Sequence, residues 1–346
     1  DEFVILVTEI DNEEQAVKVA HRVNKQLREP YLIEGTEIST TTSVGISIYP
    51  EDGETGDELL KHADTAMYRA KDLGRNSFQL FTSSMNAKSF ERMAMQNALH
   101  KAIECKEFYL LYQPQWNSYE QKIMGVEALI RWEHPELGLV SPANFIPLAE
   151  ELGIIAELDA WVLEEACTQR KNWLDAGLNI GRVAVNISAK HFHRGDLSHT
   201  VEHVLAKSRL PAEYLELEIT EGCVIERLDE ARRVLGKLKE NGVRIALDDF
   251  GTGYSALNYL TQLPIDIVKI DASFIARVPE NHSDCQLVAS IIAMAKVLKL
   301  NILAEGVEIR EQQEFLSQNG CKNIQGYLIS QPVKPLEIEC GRLAVC

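Results

Sequence analysis

The alternation of apolar and polar positions divides the chain into two parts. The first part opens with an apolar run at residues 3–7, which predicts a strand buried on both faces, followed by a helical pattern over 13–27. Its other predicted elements are strands at 31–33, 38–48 and 77–81 and a helix over 57–71. Together they make about half of an α/β domain. We therefore expect the missing strands and helices to precede Asp1 in a longer protein.

From residue 108 onward, short apolar strands alternate with amphipathic helices. Residues 82–106 carry a helical period, so the expected domains are 1–81, a linker helix at 82–106 and 107–346. The predicted strands are 108–115, 122–132, 182–187, 214–219, 243–248, 265–270, 301–305 and 321–326. Eight strands over about 250 residues are typical of a (β/α)8, TIM-like barrel. Only residues 116–121 separate the first two strands, which predicts an antiparallel first pair.

Polar side chains stand at or just after the predicted ends of these strands. They are Glu127, Asn186, Glu218, Asp248 with Asp249, Lys269 with Asp271, Glu305 and Gln325. The carboxyl ends of barrel strands meet at one mouth, where barrel enzymes carry their catalytic groups, so we expect these side chains in one site. A single residue of this kind is more often a helix cap or a turn former. Seven in one register argue against that interpretation for the whole set.

The carboxylates of this set also predict a metal site. Five of them cannot share a small pocket in ionised form unless cations neutralise their charge. Oxygen ligands without a nearby His or Cys favour Mg²⁺ or Mn²⁺ over zinc. The adjacent Asp248 and Asp249 could supply the bridging ligand of a two-metal site.

Other apparent motifs carry less weight. Residues 251–253 contain two of the glycines of a dinucleotide fingerprint but lack the third, so a mobile loop over the site is favoured. The histidines at 191, 193, 199 and 203 have no Glu or Cys at metal-ligand spacing and are expected to be solvated. Cys223 and Cys321 have no basic partner in the sequence, which argues against a nucleophile.

Composition narrows the possible partners and the compartment. With 35 Lys and Arg against 52 Asp and Glu, the net charge of −17 argues against a binder of nucleic-acid polymers. The most apolar stretch, 287–304, is interrupted by polar residues, so no membrane contact is expected in this segment. Whether an upstream segment tethers the parent protein to a membrane is left open by this sequence. Seven cysteines, odd in number and without a C-x-x-C pair, indicate free thiols and a cytoplasmic location.

Eight short segments of the second part form a set that points to a known family. They are EALIRW at 127–132, FIPLAE at 145–150, NIS at 186–188, EITE at 218–221, DDFGTGYS at 248–255, VKID at 268–271, AEGVE at 304–308 and QGY at 325–327. Over about residues 105–335 this set closely resembles the EAL-domain family of cyclic di-GMP phosphodiesterases. The first part resembles the second half of a GGDEF, or diguanylate cyclase, domain, chiefly through its late helix at 63–76.

The resemblance implies a role for each matching position. One metal ion would be held by Glu127, Asn186, Glu218 and Asp248, and a second by Asp248, Asp249 and Glu305. The catalytic residues would be Lys269, Glu305 and Asp248. Substrate contacts would come from Arg131, Gln113, Gln325 and Asp271. Glu308 would help Gln325 to organise the water around the site, and Glu221, three residues past Glu218, would hold the loop at 250–255.

The resemblance further implies metal-dependent hydrolysis of cyclic di-GMP to linear pGpG, and a homodimer formed through the barrel. The alternative is a catalytically silent cyclic di-GMP receptor or regulatory module. No position of the motif set is substituted, which favours the enzyme. Cyclase activity is not expected, because the glycine-rich hairpin and the first metal-binding strand of a cyclase are absent from this chain.

Overall fold

The computed structural model describes residues 2–10, 12–33, 36–251 and 260–340. The chain divides into two compact units, residues 1–98 and 99–346. The elements of the first unit are the helices α1 (Glu13–Leu27) and α2 (Gly56–Asp72) and the strands β1 (Tyr31–Ile33), β2 (Thr36–Ile38), β3 (Val44–Ile46) and β4 (Phe78–Leu80). β1 pairs with β2 antiparallel, and β3 pairs with β4 in parallel. Helix α3 (Ser83–Ala102) crosses the division and is shorter than the linker helix predicted at 82–106.

Two strand predictions in the first unit are wrong. Residues 3–7 form no strand, and the side chains of Phe3 and Leu6 are 87% and 85% exposed. A strand requires hydrogen bonds to a neighbouring strand, and no described strand pairs with this segment. The strand predicted at 38–48 is instead the end of β2 and the whole of β3. Serines and threonines fill positions 39–43 between them, and their hydroxyl groups compete for local backbone hydrogen bonds.

The second unit contains the barrel. Its strands are β5 (Phe108–Asn117), β6 (Lys122–His134), β7 (Gly138–Val140), β8 (Arg182–Asn186), β9 (Leu215–Thr220), β10 (Arg244–Phe250), β11 (Ile267–Ile270), β12 (Asn301–Ala304) and β13 (Asn323–Ile324). Its helices are α4 (Pro142–Leu152), α5 (Ile155–Asp175), α6 (Ala189–Arg194), α7 (Leu197–Ser208), α8 (Glu221–Glu226), α9 (Leu228–Glu240), α10 (Ala272–Ile275), α11 (His282–Val297), α12 (Arg310–Asn319) and α13 (Pro335–Glu339), with a 3₁₀ turn at Ala212–Tyr214.

Eight of these strands close into a barrel, as the sequence predicts. The order around the sheet is β5, β13, β12, β11, β10, β9, β8 and β6, and β5 also pairs with β6; β7 extends β6 at its free edge. β5 is antiparallel to both of its neighbours, while β6 and β8 to β13 run in parallel. The predicted antiparallel first pair is therefore confirmed. A turn too short for a helix joins β5 to β6 and forces the reversal.

Alternation along the strands decides which side chains enter the barrel. Val183, Val185 and Leu217 belong to the main apolar core between the sheet and the helices. A small separate apolar cluster of Ala246, Ile267 and Leu303 forms a layer inside the barrel. Since side chains two residues apart share a face, the positions on either side of this layer also point inward. The interior is therefore apolar in the middle and polar at both ends.

None of the helices in the described part of the chain combines the length and the apolar character needed to cross a lipid bilayer.

Candidate functional site

A buried lysine surrounded by carboxylates occupies the carboxyl end of the barrel. Lys269 of β11 is fully buried, and its Nζ lies 2.7 Å from Glu218 Oε2 and 2.7 Å from Glu305 Oε1. Asp248 Oδ2 is 3.3 Å away and Glu127 Oε2 is 4.0 Å away. Four strands and the residue after a fifth thus bring their inward side chains to one point. These are side chains that the sequence predicts to share a site.

Glu127 differs in position from its prediction, since it lies in the middle of β6 and not at a strand end. β6 continues past it because Trp132 pairs with Val140 of β7 and with Phe108 of β5. Glu127 still lies at the mouth. The parallel pairing of β6 with β8 ends one residue later, at Ala128, so Glu127 is at the end of the part of β6 that belongs to the parallel sheet.

Side-chain amides fix the Glu127 carboxylate. Asn186 Nδ2 donates to Glu127 Oε1 at 2.7 Å, and Gln325 Nε2 donates a short hydrogen bond to Oε2. Gln325 Nε2 also donates to Gln113 Oε1 at 3.0 Å, and Gln113 Nε2 donates to the backbone oxygen of Ser330 at 3.1 Å. A chain of amides therefore ties one wall of the mouth together and orients the carboxylate toward Lys269.

The pKa values of the cluster indicate that it holds less positive charge than its carboxylates require. Burial, with Glu127 as a further cause, raises the pKa of Glu218 well above its usual value, and burial raises the pKa of Glu305 to about 7. The pKa of Glu127 is lowered because Lys269 and the two amides outweigh its burial. The carboxylates around Lys269 raise the pKa of its ammonium well above normal despite burial, so this lysine stays charged. One ammonium thus serves four carboxylates and leaves an excess of negative charge.

Asp249 occupies an unusual backbone position beside this cluster. Its φ is 54°, a conformation uncommon outside glycine, and its N–H donates to Asp248 Oδ1 at 2.9 Å. Burial and the charge of Asp248 raise the pKa of its carboxyl. The Asp249 carboxyl therefore lies close enough to Asp248 and Lys269 to be affected by their charges.

The start of the next loop is bound to the first residue of α8. Glu221, the first residue of α8, is buried and accepts a hydrogen bond from Gly251 N at 3.1 Å. Gly251 has φ 99°, which favours glycine. This contact lies where the sequence predicts that Glu221 anchors the loop. The remainder of that predicted loop, residues 252–255, falls outside the described residues.

Three of the predicted site residues form hydrogen bonds with residues outside the cluster around Lys269. Arg131 is half-buried and donates from Nη1 to the backbone oxygen of Ile130 at 2.8 Å. Asp271 caps α10, accepting from Ser273 N at 3.0 Å. Glu308 is exposed and donates from its backbone N–H to Gln312 Oε1 at 2.8 Å.

Sequence reasoning missed a polar network directly after Asn186. Asp159 of α5 accepts from Ser188 Oγ at 2.6 Å and from Ser188 N at 3.0 Å, and His191 Nδ1 lies 3.3 Å from the same oxygen. His191 is buried, so its prediction as a solvated histidine is wrong, since Asp159 offers it a partner inside the fold. The signal was an aspartate within the apolar stripe of α5, where a buried carboxylate requires partners.

The donor chemistry of the mouth fits divalent metal ions, but the arrangement seen is closed around Lys269. Within the described ranges, no group of three or more His, Cys, Asp or Glu side chains is arranged to hold a metal ion. Glu218 Oε1 and Gln325 Oε1 are nevertheless buried and accept no hydrogen bond from any of the described residues. Oxygen atoms of this kind, in a cluster with excess negative charge, are ligands that Mg²⁺ and Mn²⁺ prefer.

The closed barrel and its acidic mouth define an α/β-barrel protein with the layout of a barrel enzyme. Comparison with known families agrees. Residues 96–332, more than half of the chain, match the EAL domain, and the chain belongs to that family. Residues 1–77 match the diguanylate cyclase, GGDEF domain.

Similar proteins support the same assignment. The chain is 42% identical over 333 residues to the bifunctional diguanylate cyclase/cyclic di-GMP phosphodiesterase MucR of Pseudomonas aeruginosa, covering 96% of this chain and 48% of that protein. It is 40% identical over 339 residues to the cyclic di-GMP phosphodiesterase NbdA of the same organism, covering 98% of this chain and 43% of NbdA. The chain thus spans about half the length of the curated relatives it matches.

A solved structure of the PaMucR phosphodiesterase in complex with c-di-GMP has the same fold. Its TM-score is 0.69 at 41% identity, covering 71% of this chain and 99% of that chain.

Proposed function

We propose that this chain hydrolyses cyclic di-GMP to linear pGpG with two divalent metal ions, Mg²⁺ or Mn²⁺, at the mouth of the barrel. The observation that carries the proposal is the convergence of Glu127, Glu218, Asp248 and Glu305 on Lys269. It is supported by membership of the EAL family and by relatives whose names describe this activity.

The proposed ligands follow the positions at the mouth. Glu127, Asn186, Glu218 and Asp248 would hold one ion, and Asp248, Asp249 and Glu305 the other. Asn186 now directs its Nδ2 at Glu127, so its amide would turn over to present oxygen. Bound there, the ions would acidify a water molecule and neutralise charge on the phosphate.

Lys269, Asp248 and Glu305 are the proposed catalytic residues. The Lys269 ammonium would leave Glu218 when that carboxylate gains a cation. It would then be free to offset the charge that develops on the phosphate oxygens. Its surroundings support this role, because they keep the ammonium charged at neutral pH.

Substrate contacts are proposed for Arg131, Gln113, Gln325 and Asp271. The hydrogen bond between Gln325 and Gln113 supports a shared role of these two side chains in binding the substrate beside Glu127. Glu308 would help to order water near Gln325, and Glu221 would hold the loop that starts at Gly251.

Incubation of the chain with cyclic di-GMP and either Mg²⁺ or EDTA, followed by chromatography of the products, tests this function. We expect linear pGpG with Mg²⁺ and none with EDTA. Tight binding of cyclic di-GMP with no linear product under saturating Mg²⁺ would contradict the proposal and establish the receptor alternative.

Three further proposals concern the whole protein. We propose that the barrel at 107–346, with the linker at 82–106, is an autonomous enzyme, so that deletion of 1–81 leaves turnover measurable. A cytoplasmic location is supported by the free cysteines, among them the buried Cys167, Cys223 and Cys321. A homodimer through the barrel follows from the resemblance, and light scattering would test it.

A further inference from the structure

A polar cavity lies at the amino end of the barrel strands, opposite the mouth. Its volume is about 190 Å³. Since a water molecule in the liquid occupies about 30 Å³, the cavity is several times larger than one water molecule. The charged side chains in its lining are Arg182 of β8, Glu216 of β9, Arg244 of β10, Glu120 and Lys322. Three cations and two carboxylates therefore face the same space.

The positive charges of this cavity are poorly matched by its negative ones. Glu120 pairs with Lys122, which does not line the cavity, at 2.6 Å. Glu216 is 2% exposed, and among the described residues it forms no ion pair with Arg182 or Arg244. Burial and then the charge of Arg244 lower the pKa of Arg182, while the carboxylates of Glu216, Asp266 and Glu213 act in the opposite direction. An additional negative group between the two arginines would relieve their repulsion.

Two buried polar atoms of the cavity lining have no hydrogen-bond partner among the described residues, and the first of them is a donor. Asn117 Nδ2 donates to Asn323 Oδ1 at 3.1 Å, so these amides satisfy one another. Gln115 is 2% exposed, and its Nε2 has no acceptor. Arg182 is half-buried, and its Nε donates to the Glu213 backbone oxygen at 3.1 Å. A buried donor without a partner is costly, so Gln115 Nε2 requires an acceptor in the cavity.

One atom of the lining has the opposite requirement. Glu216 Oε1 is buried and has no hydrogen bond. A ligand that satisfies the cavity must therefore accept from guanidinium and amide groups and also donate one hydrogen bond to a carboxylate. Chloride and sulfate cannot do both, because neither carries a proton at neutral pH. Hydrogen phosphate has three acceptor oxygens and one P–O–H group, and it meets both requirements.

We propose that this cavity is a binding site for free inorganic phosphate. The phosphate oxygens accept hydrogen bonds from Arg182, Arg244 and Gln115 Nε2, and the P–O–H group donates to Glu216 Oε1. Lys322 is exposed at the rim and adds positive charge where the anion enters. The site is independent of the proposed phosphodiesterase function, because no residue assigned to the mouth lines it.

Calorimetric titration of the full chain with phosphate tests the site. The experiment is run in EDTA at pH 8, so that no metal ion at the mouth attracts the anion. We expect saturable binding of one phosphate, and binding of sulfate at least about tenfold weaker, as loss of a hydrogen bond to a charged group implies. No heat beyond that of a chloride titration at equal ionic strength would overturn the proposal and leave the cavity to water.

Two variants locate the binding. Arg244→Gln is expected to weaken phosphate binding by at least about tenfold, and Arg310→Gln, at the exposed start of α12, is expected to leave it unchanged. If Arg244→Gln does not fold, Lys322→Gln at the exposed rim is expected to slow association and to weaken binding. Equal affinity of the wild type and the folded cavity variant would overturn the assignment. Glycerol 1-phosphate binding more tightly than phosphate would also overturn it, since the ligand would then be an ester.

Discussion

The two ends of the barrel use the same strands to build opposite charge environments. At the mouth, Glu218 of β9 and its neighbours surround a single ammonium, and the ion pairs are as short as 2.7 Å. At the amino end, Glu216 of the same strand faces two guanidiniums without an ion pair to either among the described residues. Positions two residues apart on one strand therefore sit in opposite fields. The mouth has an excess of carboxylates and suits cations, and the amino end has an excess of cationic side chains and suits an anion.

The largest expected effect comes from removing a carboxylate at the mouth. Asp248→Asn should lower turnover of cyclic di-GMP by more than about 10³-fold, because it removes charge at the position proposed to contact both metal ions. Glu127→Ala should behave alike. Asp229→Asn, whose side chain is 99% exposed on α9, is the matched control and should keep the wild-type rate. Wild-type turnover in Asp248→Asn would defeat the site assignment.

The next effect concerns the cation of the mouth. Lys269→Ala should slow the chemical step by about 10²-fold while metal binding largely survives, since the ammonium acts on the developing charge. Lys237→Ala, on the exposed face of α9, serves as control. Rate measurements at saturating metal and calorimetric titration of Mn²⁺ separate the two effects. An equal loss of metal affinity and rate would make Lys269 a structural residue.

How much of this contrast could be predicted from the sequence differs between the two ends. The residues of the mouth can be predicted from the sequence, because the polar residues at Asn186, Glu218, Asp248 and Lys269 each follow an apolar run. The residues of the amino end cannot be predicted in this way. Arg182 and Arg244 begin their strands, where charged residues normally face solvent, and only the closure of the barrel shows that they enter a shared interior.

Long-range pairing explains the other differences. The strand predicted at 3–7 has the right composition but no described strand beside it, and composition cannot supply a partner. The strand predicted at 122–132 extends to His134, because its partner β7, with three residues, is too short to recognise in the sequence. His191 is predicted to be solvated because the sequence does not show that Asp159, 32 residues away, is its partner.

The third expected effect is on stability and sharpens the contrast at the amino end. Burial raises the pKa of Glu216 from 4.5 to about 7 in the folded chain. The native state therefore holds this proton more tightly than the unfolded state. Its stabilising contribution is complete below pH 4.5 and is lost as the pH rises to 7. Without phosphate, the wild type should lose about 3 kcal/mol relative to Glu216→Gln over that interval.

Urea unfolding of both proteins at pH 4.5 and 8 measures this difference. The carboxyls of the mouth titrate in both proteins and cancel in the comparison. A difference in unfolding free energy that is the same at both pH values would show that folding does not raise the pKa of Glu216.

The smallest expected effect concerns the loop that borders the mouth. Glu221→Ala removes the acceptor of Gly251 N, and should lower turnover about tenfold with unchanged Mn²⁺ affinity, because the loop loses an anchor and no ligand is lost. Glu240→Ala, at the exposed end of α9, is the control. A structure with Glu221 bound directly to metal would refute its positioning role.

The most direct test of the central claim is anomalous diffraction from crystals grown with Mn²⁺. We expect two anomalous peaks at the mouth, one within reach of Glu127, Asn186, Glu218 and Asp248 and one beside Asp249 and Glu305. Lys269 Nζ should lie farther from Glu218 Oε2 than its present 2.7 Å. A mouth without a peak at saturating Mn²⁺, with Lys269 still bound to Glu218 and Glu305, would contradict a two-metal site.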